Sequence, residues 1–108
     1  MVPGCSVEAV QRSIISRAYY AAFRKAQNFL IVRDGFAVEL GESSHNKVIF
    51  ALKLHPNRYR QMIGEDLRRM KQFRERADYK DEFEGSLEDT VEWVINRAER
   101  IINLLERM

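Results

Sequence analysis

A chain of 108 residues with a formal charge of +2 can bury one hydrophobic core and is too short for two, so one domain over residues 1–108 is expected. Its 45% hydrophobic and 31% charged residues, with 5 Gly and 2 Pro, exclude a disordered or fibrous chain, and no run nears the roughly 18 consecutive apolar residues of a membrane span. The opening Met1-Val2-Pro3-Gly4-Cys5 lacks the basic-then-apolar order of a signal peptide, so a cytoplasmic location with no membrane contact is expected, and Cys5, alone, can form no internal disulfide.

Ser6 to about Val32 is the longest periodic run, with Ser6 as N-cap and Glu8 in the positive first turn. Val7, Val10, Ile14, Ala18, Ala21 and Ala26 form one apolar stripe, and Ile15, Tyr19, Ala22, Phe23 and Leu30 a second beside it. So wide a face implies a helix contacted from two sides, and its alanines allow a close interhelical or intersubunit seam. Asp34-Gly35 stops this helix, and Phe36 to Ser43 reads as a loop. Ser43 or Ser44 then caps a short helix to about Leu54, broken by Pro56, which can itself be the first residue of the next.

From Pro56 to Ala77 the residues Tyr59, Ile63, Leu67, Met70 and Phe73 recur at helical spacing. Lys80 to Gly85 is an acidic linker, and Ser86-Leu87-Glu88-Asp89 resembles a capping box that opens a fourth helix. Its stripe is Leu87, Val91, Val94, Ala98, Ile101 and Leu105, backed by Ile95 and Ile102. Four amphipathic helices without a strand candidate indicate an all-α fold, an antiparallel up-and-down bundle.

Chemistry has few places to sit. One Cys and two His, with no His-Glu-x-x-His or Cys-x-x-Cys pair, cannot assemble a conventional zinc centre, and neither a phosphate-cradling Gly loop nor a G-x-S-x-G elbow is present. No cofactor is expected. Counting from Ile63 through Leu67 and Met70 puts Arg74 on the apolar stripe, an unusual position for a guanidinium. It either pairs with Asp78 or an acid of the following loop, or offers an anion site. Asn57 to Asp78 carries seven basic residues against four acidic ones, so this helix is either a solvated charged face or a surface for RNA phosphates. His45 is an exposed capping neighbour or a ligand for an anionic group, His55 is structural, and Tyr79 anchors its helix end through ring and hydroxyl.

The blocks Ser16-Arg17-Ala18-Tyr19-Tyr20-Ala21-Ala22-Phe23, Ser43-Ser44-His45 and Arg74-Glu75-Arg76-Ala77-Asp78-Tyr79, in that order and followed by an amphipathic helix, resemble the HEPN branch reading S-R-A-Y-Y-A-x-F and R-N-x-A-D-Y. The resemblance covers nearly the whole chain. It implies a homodimer with a shared cleft, association with a prokaryotic toxin–antitoxin or defence-type system, and a small nucleotidyltransferase as antitoxin partner. It also implies, for many members, metal-independent cleavage of RNA through an Arg-x(4–6)-His motif. Arg74 matches the motif arginine, Tyr79 takes the place of the histidine, and Glu75 replaces the usual Asn neighbour. A histidine titrates near about 6.5 and a tyrosine near about 10, so tyrosine is the poorer proton acceptor by roughly three to four units.

The candidate catalytic residues are therefore Arg74, Asp78, Tyr79 and His45, and the candidate binding residues Arg17, Tyr20, Ser44 and Arg76. Three readings follow: a module that binds a nucleotidyltransferase, a nucleotide or RNA around Arg74; an endoribonuclease toxin using Arg74 with Tyr79, Asp78 or His45, with a regulatory variant in which the partner adenylylates Tyr79; and an inert structural dimer.

Overall fold

The structure, a computed structural model, describes residues 6–37 and 42–108. Cys5 and residues 38–41 of the expected loop lie outside them. The described residues form four helices and no strand: α1 (Val7–Asp34), α2 (Glu42–Lys53), α3 (Arg58–Tyr79) and α4 (Leu87–Arg107).

Local chemistry sets most of the boundaries. The Ser6 hydroxyl accepts from the Ala9 N–H at 3.0 Å, satisfying one of the bare donors at the start of α1. At the far end Gly35 takes a left-handed φ of 66°, which lets its own N–H and that of Phe36 return to the carbonyls of Ile31 and Leu30. α1 thus runs two residues beyond the expected Val32. α2 starts at Glu42, one residue before the expected capping serines, so Ser43 and Ser44 fall within its first turn, and Ser44 is buried. The start of α3 also differs from expectation. Asn57, not Pro56, sets it, because the Asn57 side-chain oxygen accepts from the N–H groups of Tyr59 and Arg60 at 2.9 and 3.1 Å, whereas proline has no such acceptor. His55 supports this turn through Nδ1, which accepts from the Asn57 N–H at 3.0 Å. Ser86 caps α4 by accepting from the Asp89 N–H at 3.1 Å.

The core is the expected one in most of its members. On α1 the stripe Ile15, Tyr19, Ala22, Phe23 and Leu30 is buried together with Ala26, while Val7 and Val10 of the other stripe remain 67% and 46% exposed. Ile63, Leu67, Met70 and Ala77 of α3 and Val94, Ala98, Ile101 and Leu105 of α4 meet them, with Val48, Ile49 and Leu52 from α2.

Contacts fix the directions of the helices. Arg12 reaches the end of α3 and Asp34 reaches Arg60 near its start, so α3 runs antiparallel to α1. The Arg100–Asp66 and Lys53–Glu65 pairs make it antiparallel to α4 and α2 as well. Lys25 meets Glu106, and Arg33 donates to the Met108 carbonyl, so α1 and α4 point the same way. Up-and-down alternation therefore holds for α2, α3 and α4. α2 begins beside the middle of α1, where His45 stacks on Phe23, and not beside its end.

α2 and α3 touch most closely at Gly64. A Cβ there would lie 2.7 Å from Lys53 Cγ and 2.9 Å from the Lys53 backbone nitrogen. Gly64→Ala must push the helices apart and should cost about 1–3 kcal/mol, read as a lower denaturation midpoint in urea with an unchanged slope. Glu65 braces the same contact from outside, held by Arg68 at 2.6 Å and Lys53 at 3.5 Å. The hydrogen bond from Arg68, chiefly, keeps its carboxyl below the ordinary value of 4.5. A depressed carboxyl stabilises the fold above that value and loses its contribution as pH falls through the lowered one. Glu65→Gln should accordingly lower the melting temperature slightly at neutral pH, and this difference should fade on acidification below 4.5.

Candidate functional site

Arg74 is 1% exposed, the largest fully buried side chain among the described residues. The 3.6-residue repeat that buries Ile63, Leu67 and Met70 carries it inward, where α1 supplies compensation. Its guanidinium carbon lies 5.5 Å from the centre of the Tyr19 ring and 5.4 Å from that of Tyr20. Two ring faces in a desolvated setting make favourable cation–π contacts, each worth about 2 kcal/mol. Asp78, one turn on, brings a carboxylate oxygen to 3.9 Å and receives the Ser16 hydroxyl at 3.4 Å. The pairing expected of Arg74 with Asp78 is therefore present.

The same tyrosines hold His45. The Tyr19 hydroxyl and His45 Nδ1 are 2.7 Å apart, the tyrosine donating when the imidazole carries its proton on Nε2. The imidazole stacks on Phe23 at 4.1 Å between centres and 7° between planes, and meets Tyr20 edge-on at 5.8 Å. His45 is thus half-buried and fixed in orientation, not an exposed neighbour of a cap. A cation, a carboxylate and an oriented imidazole share one aromatic support. Together they can neutralise an anion and move a proton.

The remaining candidates are placed less centrally. Tyr79 is 70% exposed, so its ring does not anchor the helix end; Ala77 carries the buried stripe into the last turn, and Tyr79 follows about 200° round the helix. It borders an open depression of about 510 Å³ shared with Lys71, Arg74, Glu75 and Lys80. Lys71 there pairs with Glu75 at 2.6 Å. Arg17 is exposed, Ser44 is buried close to His45 in sequence, and Arg76 turns away from Arg74 to lie over Phe73 at 5.6 Å.

Tyr19 and Arg12 were not among the candidates. Tyr19 gave a signal in its place within the Ser16–Phe23 block, where it reads equally as core. Arg12 gave none. Its guanidinium donates to the carbonyls of Ala77 at 3.1 Å and Asp81 at 3.0 Å and pairs with Glu8 at 3.0 Å, closing the exposed end of α3 beside Asp78 and Tyr79.

Fold and site together define a four-helix protein built around a buried arginine, with no cluster of metal-ligating side chains and no helix long and apolar enough to cross a membrane among its described residues. Residues 7–108 match the HEPN domain family, and the chain belongs to it. No curated protein and no solved structure matches it.

Removing one hydroxyl tests the support. Tyr19→Phe keeps the ring beneath Arg74 and should cost about 1 kcal/mol of stability. It should also shift the ¹⁵N resonance of His45 Nδ1; an unmoved resonance would show that the two side chains are not bonded in solution.

Proposed function

We propose that this HEPN protein acts as a homodimeric binding module of a prokaryotic toxin–antitoxin or defence-type system, with residues 1–108 forming one domain. It docks a small nucleotidyltransferase partner, or a nucleotide or RNA, through the depression around Arg74. The observation that carries this reading is the contrast between Arg74, buried against Asp78 and two tyrosine rings, and Tyr79, exposed on the rim. A cation so enclosed shapes a surface more readily than it meets a phosphate, while an exposed aromatic side chain beside it suits an interface. The motif branch with tyrosine in place of histidine favours the same reading, and the exposed Val7 and Val10 offer α1 as the dimer seam.

One observation favours a second reading. His45, oriented by Tyr19, supplies the imidazole that the end of α3 lacks. A metal-independent endoribonuclease would use it, or Asp78 or Tyr79, to take the proton from an RNA 2′-hydroxyl as that oxygen attacks the adjacent phosphate, closing a 2′,3′-cyclic phosphate while the bond to the next nucleotide's 5′-oxygen breaks and that oxygen takes up a proton. Arg74 would then face the charge that develops on the phosphorane.

Co-expression with any small nucleotidyltransferase encoded nearby, followed by capture on a tag, separates the two. Docking predicts a stable complex that Tyr79→Ala weakens by roughly tenfold or more, about 1.4 kcal/mol, without loss of fold, since the side chain is exposed. It also predicts that a mixed RNA pool stays intact with EDTA present. Absence of a complex, with RNA cleavage that His45→Ala abolishes, would establish the nuclease instead.

A further inference from the structure

On the side of α3 turned away from Arg74, the helix meets α4 along a strip of arginines and aromatic rings. The Arg69 and Arg97 guanidinium carbons lie 4.7 and 5.0 Å from the centre of the Trp93 ring. Phe73 meets Trp93 edge-on at 5.5 Å and carries Arg76 over its own ring at 5.6 Å. At the other end Asp66, 6% exposed, accepts two hydrogen bonds from Arg100, at 2.6 and 3.1 Å, and lies 3.9 Å from Arg97. Of these four arginines, Arg97 and Arg100 lie within 4 Å of the Asp66 carboxylate. Arg69 and Arg76 make no ion pair among the described residues, so their charge is open to a ligand.

We propose that this α3–α4 strip binds single-stranded nucleic acid, with the N–H edges of the arginines on the phosphates and the bases stacked on the outer planes of the guanidiniums that cover Trp93 and Phe73. The chemistry selects that ligand. A guanidinium lying on a ring keeps its N–H edge for phosphate oxygens and its outer plane for a base, which is how unpaired bases are held. A duplex offers its phosphates but keeps its bases stacked away, and an acidic peptide uses the edges alone. From residue 66 to residue 76 the strip runs about 15 Å along α3, which accommodates on the order of three or four nucleotides. It is separate from the depression at Arg74, which it neither borders nor requires.

Trp93 is the sole tryptophan of the chain, so its emission reports on the strip directly. The full chain would be titrated with oligouridylate and oligothymidylate of about ten nucleotides at about 50 mM salt. Saturable quenching is expected. The Arg69→Ala, Arg76→Ala double variant should raise Kd roughly tenfold and flatten the slope of log K against log salt by about 1.4, the release of two counterions from a single strand. No quenching by either oligonucleotide, or an unchanged Kd in the double variant, would overturn the proposal. So would equal affinity for an oligoglutamate of the same charge, which would mark an acidic-protein surface. The double variant leaves Arg74 and Tyr79 in place, and Arg69→Ala alone, at a residue the docking reading does not use, should still raise Kd, so failure here is distinct from failure of partner docking.

Discussion

The burial of one guanidinium organises this molecule. A charge taken from water costs several kcal/mol unless its surroundings replace the lost hydration, and Arg74 at 1% exposure lies well inside that regime. Among the groups that replace the water are the Tyr19 and Tyr20 rings of α1 and the Asp78 carboxylate of α3 itself. α1 and α3 must therefore keep a fixed register, because a slip of one residue would present different faces to the cation. The tyrosines in turn hold His45, so the position of α2 depends on the same arrangement.

Contacts at both ends keep that register. At one end Arg12 ties α1 to the last carbonyls of α3. At the other, Arg60 grips Asp34 and lies over Phe29 at 4.8 Å, while Arg33 crosses from α1 to the final residue of α4. Each of these is a long side chain spanning an exposed helix end, where backbone groups lack partners within their own helix. The middle is held differently, by apolar packing and by the glycine that lets α2 approach α3.

The helices and most of the core were legible because the residues that bury them repeat at three and four. The same counting places Arg74 on the buried face. Tyr19 shows the limit: spacing shows that its ring is buried, but its hydroxyl finds a partner 26 residues away. The start of α3 at Asn57 turned on which of two adjacent residues could accept from the backbone, a choice that periodicity does not make. Arg12 looked like an ordinary charge in a first turn, since its acceptors lie more than 60 residues further along. Gly64 carried no local sign of its role, which comes from the neighbour pressed against it.

The shared direction of α1 and α4 has an electrostatic result independent of any side chain. α1, α2 and α4 bring their amino ends toward Arg74 and Tyr79, where α3 brings its carboxyl end. With about half a positive charge at each amino end and half a negative one at each carboxyl end, the backbones sum to roughly one positive charge there and its opposite at the far pole. The bundle is thus a dipole along its long axis. That backbone contribution is fixed by the directions of the helices and does not titrate, whereas the carboxylates of the acidic linker at the same pole oppose it.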